Sequence, residues 1–120
     1  MVFAKDMEAM TTFYRDVLGL SPLRIADDDA GFVSLDAGAI ALCLHAIPSR
    51  AAKDITVSSP PKWRDSTPIK LCFRTDDVAS LRDELSARRA NMGPAKQFGD
   101  LCLCDGVDPE GNVFQLSNRP

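Results

Sequence analysis

The sequence predicts an α+β fold in one domain, built twice from the pattern strand, helix, then several strands. Three observations lead there. Two segments carry apolar residues at helical spacing, and each follows a short strand-like run. Most other apolar segments alternate with period two, as strands do. At 120 residues the chain can bury one core but not two independent ones.

The first helix is predicted over about 7–18. Asp6 is a good N-cap, and Met7, Met10, Tyr14 and Val17 follow on one stripe that Phe13 and Leu18 widen. Gly19 is a natural stop. The second helix begins at Asp76 or Asp77. Val78, Leu81 and Leu85 form its stripe, and Arg88 and Arg89 suit its C-terminal dipole. Superposing Asp6 on Asp77 aligns Met7 with Val78, Met10 with Leu81 and Tyr14 with Leu85, which reads as an internal duplication. These stripes are core faces rather than a cofactor site.

Strands are predicted over 2–5, 21–27, 31–37, 40–47, 69–75, about 94–98, 100–106 and 112–118. In 40–47, Ile40, Leu42 and Leu44 oppose Ala41, Cys43 and His45; in 69–75, Ile69, Leu71 and Phe73 oppose Lys70, Cys72 and Arg74. Leu101 and Leu103 oppose Cys102 and Cys104, and Phe114 and Leu116 oppose Val113, Gln115 and Ser117. One face of each strand is then expected to pack on the helices. The opposite face collects His45, Lys70, Arg74, Gln115 and all four cysteines.

Residues 48–68 lack periodicity and hold the only tryptophan, Trp63. So long a loop is expected to be a lid over a pocket, an arm onto a partner subunit, or slack. The turn "DPEGN" is architectural: Pro109 presets a turn dihedral and Gly111 accepts positive φ. Glu110 is expected to face solvent.

Composition narrows the function. The net charge of −3 comes without a basic block, which excludes nucleic acid as the main partner. No apolar run reaches membrane-spanning length. No leader is visible at the start, so a cytoplasmic protein with free thiols is expected. The cysteines then serve as small, weakly polar filler, and a C-x-C on one strand face does not specify zinc chemistry.

The segments "FYRDVLGL" near the start, "LCFRTDDVASLRDEL" in the middle and "DPEGNVFQLS" at the end occur in an order that resembles the vicinal oxygen chelate superfamily. This is the group of glyoxalase, bleomycin-resistance and dioxygenase proteins, and the resemblance covers nearly the whole chain. It implies two βαβββ modules whose sheets curl into a ligand-binding cup. Module 1 is about 1–50, a linker or lid about 48–68, and module 2 about 68–120, all in one domain. It also implies a homodimer.

Metal-using members take ligands at positions that fall here before Met1, at Lys70 and at Gln115. The first is expected to be missing. Lysine is a cation that repels a divalent ion, and glutamine brings no charge. The resemblance therefore implies no cofactor, a divalent metal being disfavoured.

The expected function is small-molecule binding of the glyoxalase/bleomycin-resistance type. His45, Lys70, Arg74, Gln115 and Trp63 are the expected ligand-binding residues, and the ligand is anionic or carbonyl-bearing. The alternative is a metal-dependent lyase, isomerase or dioxygenase that rebuilds its site from His45, Gln115 and a partner chain. A ligand-free structural dimer is a third class.

Overall fold

The computed structural model describes residues 1–23 and 31–119. The chain divides into two units, Met1–Ser59 and Pro60–Pro120. Each contains one strand, one main helix and three further strands.

In the first unit β1 (Val2–Ala4) leads to α1 (Met7–Thr12), then β2 (Ser21–Pro22), β3 (Phe32–Asp36), β4 (Ala41–Ala46) and the short α2 (Ser49–Ala52). The second unit has β5 (Leu71–Arg74), α3 (Val78–Ala87), β6 (Asn91–Phe98), β7 (Leu101–Val107) and β8 (Val113–Ser117). The sheet orders are β1-β4-β3-β2 and β5-β8-β7-β6. In each sheet the first strand pairs parallel with the last, and all other pairs are antiparallel. The two units therefore share one βαβββ topology, as the internal duplication predicted.

The helix starts repeat as well. The Asp6 side chain accepts from the Ala9 amide and that of Asp77 from the Ser80 amide, each at 2.9 Å. Each satisfies one of the amides that a helix start leaves unpaired.

The ends of the helices differ from expectation. The α1 chain continues through a π-helical turn, Phe13–Val17, closed by the Leu18 amide on the Phe13 carbonyl. This wider turn lets the neighbours Phe13 and Tyr14 both face inward, with ring centroids 5.2 Å apart and nearly perpendicular. α3 ends at Ala87, before the two arginines. Arg89 takes a positive φ of 66°, and the Ala90 amide returns to the Leu85 carbonyl, a Schellman closure.

Met10, Tyr14, Leu35, Leu42 and Leu44 are buried in the first unit, and Val78, Leu85, Cys104, Phe114 and Leu116 in the second. Ile40 and Ile69, expected on packed faces, lie before the first residue of their strands and are exposed. The strand expected over 21–27 is seen as Ser21–Pro22, after which the Leu23 amide donates to the Ser34 carbonyl; residues 24–27 lie outside the described residues. β6 begins earlier than expected, at Asn91, and carries a register shift between Met92 and Ala95.

The face assignment of β7 is reversed. Cys104 is buried and stands opposite Leu116, and Gly106 stands opposite Phe114. Cys104 and, by alternation, Cys102 therefore lie on the helix-packed face, while Leu103 and Asp105 take the other. The residues expected on one face thus include two cysteines that belong to the opposite one.

Among the described residues no helix is long and apolar enough to cross a membrane.

Candidate functional site

The open face of the second sheet is built by register. Asp105 of β7 stands opposite Gln115 of β8, and Gln115 stands beside Cys72 of β5. The Gln115 Nε2 donates to Asp105 Oδ1 at 2.9 Å. Lys70 Nζ donates to Asp105 Oδ2 at 3.0 Å. Because a carboxylate only accepts, the Gln115 amide must turn its nitrogen to Asp105, leaving its oxygen to accept elsewhere. One aspartate thus gathers the two polar side chains singled out from the sequence.

Next to this cluster lies a cavity of about 440 Å³, within the range of small-molecule sites. Trp63, Gly93, Pro94, Lys96, Phe98, Leu103, Asp105 and Gln115 line it. Its shape follows from the irregularity in β6. Pro94 sits on an edge strand at the register shift, where a missing amide is tolerated. The Gly93 carbonyl accepts from Arg82 Nε at 3.2 Å and from the Cys104 thiol at 3.4 Å. A Cβ at Gly93 would meet the edge of the Trp63 ring at 3.7 Å, so the bare backbone forms the surface beside the indole.

Trp63 is placed by its neighbours. The Arg64 amide donates to the Gly111 carbonyl at 2.9 Å, and the Arg64 guanidinium donates to the Glu110 carbonyl at 2.9 Å. Gly111 has φ of 87°, and a Cβ there would run into the Lys62 carbonyl. The chain at 62–64 is therefore strapped to the turn of 108–112. This also corrects the expectation for Glu110, which is only 7% exposed because the strap covers it. The turn is held from within by Asp108, whose carboxylate accepts from the Glu110 and Asn112 amides and from the Asn112 side chain at 3.0, 2.9 and 2.7 Å.

Trp63 and Gln115 thus line one cavity, with Lys70 joined to it through Asp105. Arg74 pairs in register with Ser117, is exposed, and is not among the lining side chains. His45 belongs to the first unit. There it packs edge-on against Phe3 and Phe32, with centroids 5.6 and 5.9 Å away, and its buried Nδ1 has no hydrogen-bond partner among the described residues.

Asp105, Lys96 and Phe98 were not singled out from the sequence. Hairpin counting was the available signal. Stepping outward from the turn at 108–112 pairs Asp105 with Gln115. Stepping outward from Gly99–Asp100 pairs Lys96 with Leu103.

The cluster does not suit a divalent metal. Lys70 presents a protonated amine, Gln115 turns its nitrogen toward Asp105, and both Asp105 oxygens already accept hydrogen bonds. Among the described residues, no group of three or more His, Cys, Asp or Glu is arranged to hold one.

Comparison with known proteins bears on the family. No curated protein sequence matches the chain. The fold matches the solved structure of the protein SMU.1112c with a TM-score of 0.72 at 21% identity, covering 97% of this chain and 92% of that one. A glyoxalase family protein from Enterococcus faecalis matches with a TM-score of 0.70 at 17% identity, covering 97% and 91%. TnmS3, an antibiotic binding protein from Streptomyces sp. CB03234, matches with a TM-score of 0.65 at 21% identity, covering 96% and 88%. At these identities the likeness speaks for the fold. The family itself is shown by the sequence model of the Glyoxalase/Bleomycin resistance protein/Dioxygenase superfamily, which matches residues 1–116. The chain belongs to the glyoxalase/bleomycin resistance/dioxygenase superfamily, the vicinal oxygen chelate proteins.

Proposed function

We propose that the protein binds a small organic molecule in the cavity of its second unit and does so without the divalent metal used by many members of the superfamily. One observation carries the reading: Lys70 and Gln115 both donate to Asp105, a closed polar cluster beside an apolar cavity. Trp63, Phe98 and Leu103 supply apolar walls, and Gln115 keeps an acceptor oxygen for the ligand. That a protein of the same fold is described as antibiotic binding accords with this reading. A homodimer belongs to the proposal by analogy with the superfamily.

The test is metal content per subunit after incubation with Fe(II), Ni(II), Zn(II) or Mn(II) and dialysis. It is paired with quenching of the single tryptophan by a panel of organic compounds. Quenching without retained metal supports the proposal.

The second reading is a metal-dependent lyase, isomerase or dioxygenase. The buried Nδ1 of His45, unpartnered among the described residues, favours it. It requires about one retained ion per subunit that is lost in His45→Ala.

A further inference from the structure

We infer that the cavity of the second unit selects an aromatic ligand with a single negative charge, which Lys96 pairs. The inference rests on the reading of this cavity as the ligand site.

Two lining side chains carry charge, Asp105 and Lys96. The Asp105 charge is already answered. Lys70 lies 3.0 Å from one oxygen, and Gln115 donates to the other at 2.9 Å. That ion pair and amide leave no net charge at this end of the cavity. Lys96 has no ion-pair or hydrogen-bond partner among the described residues. It stands opposite Leu103 on the open face, on the strand that carries Pro94 and Phe98. The field inside the cavity is therefore that of one ammonium set among apolar surfaces. An anion gains there, a cation is repelled, and no second cation among the lining side chains stands ready to pair a second negative charge.

The body of the ligand follows from the walls. The edge of the Trp63 ring lies beside the backbone at Gly93, and Pro94, Phe98 and Leu103 complete the apolar lining. Flat aromatic surface on such walls contributes by area burial and ring stacking. Lys96 is exposed, so its pairing is screened by salt and sets selectivity more than total affinity.

The test uses two probes that share one skeleton: 1-anilinonaphthalene-8-sulfonate, an anion, and N-phenyl-1-naphthylamine, which is neutral. Both are titrated against the full chain with Trp63 fluorescence as readout, at low and at high salt. The expected result is tighter binding of the anion, weakened about threefold to fivefold by Lys96→Met, retained by Lys96→Arg and reduced by salt. Binding of the neutral probe should not weaken in Lys96→Met, and a urea melt of the variant controls for folding.

Equal affinity for the two probes, or a preference for the anion that survives Lys96→Met, overturns the inference and leaves the cavity as a ligand site. Failure of both probes to perturb Trp63, followed by failure of the wider panel, overturns the underlying reading itself.

Discussion

Gln115 and Asp105 face each other across the β7–β8 ladder, and the glutamine amide donates to the aspartate carboxylate at 2.9 Å. A glutamate at 115 would set two carboxylates in direct opposition instead. Gln115→Glu should therefore lower stability at neutral pH, by about 1 kcal/mol for a partly exposed like-charge pair. The loss should shrink on acidification, as protonation of one carboxyl removes the repulsion. Urea melts at pH 7 and pH 4.5 check this, and a loss that is the same at both would contradict the stated cause.

Gly111 is the point where the strap at 62–64 meets the turn. Gly111→Ala adds a Cβ in the left-handed region and against the Lys62 carbonyl. A cost of at least about 1–3 kcal/mol is expected. Because Trp63 hangs on that strap, its emission should also shift to the red. Gly99 has positive φ too, but a Cβ there meets nothing within 4 Å. Gly99→Ala should therefore cost less and leave the emission unchanged.

The Asp108 carboxylate is fully buried and accepts three hydrogen bonds inside the turn. Asp108→Ala strands those donors. It should cost about 2–4 kcal/mol, more than removing any single exposed ion pair in the chain. A shift of less than 1 kcal/mol in a denaturant melt would count against this role.

Burial pushes the Cys104 thiol above its ordinary value, an effect Arg82 offsets in part. Its folded-state value is raised, so this contribution to stability is fully present below the unfolded value. It is lost as pH rises through the folded value. Stability should therefore fall on the alkaline side, and Cys104→Ala should reduce that fall. In native buffer, alkylation followed by mass spectrometry should label the exposed Cys72 first and Cys104 last.

Much of the scaffold was legible because local chemistry and global fold agree. Asp6 and Asp77 announce two helices through the same N-cap contact, and of the stripes behind them Met10, Tyr14, Val78 and Leu85 are buried. The face of β7 was not legible for a physical reason. In "DLCLCD" both alternating sets are apolar, since cysteine packs as a small hydrophobe, so period two defines the faces without saying which turns inward. The register against β8 decides it, placing Cys104 opposite Leu116.

The site was legible in part. Lys70 and Gln115 stood out through the family positions, but the residue that joins them, Asp105, is visible only once the hairpin is paired. Glu110 looked exposed because a turn usually is. Its burial comes from Arg64 and Lys62, far away in sequence, which local pattern does not encode. The π-helical turn at Phe13–Val17 belongs to the same class, set by two adjacent aromatic rings that both need the core.

The most direct test of the central claim is binding of N-phenyl-1-naphthylamine, followed through Trp63, in protein stripped with a chelator and in protein reloaded with Fe(II), Ni(II), Zn(II) or Mn(II). The account predicts the same affinity in both, lowered by filling the cavity with Gly93→Leu and, with the probe's own emission as readout, by Trp63→Phe. Binding that vanishes on stripping and returns with about one ion per subunit would contradict it.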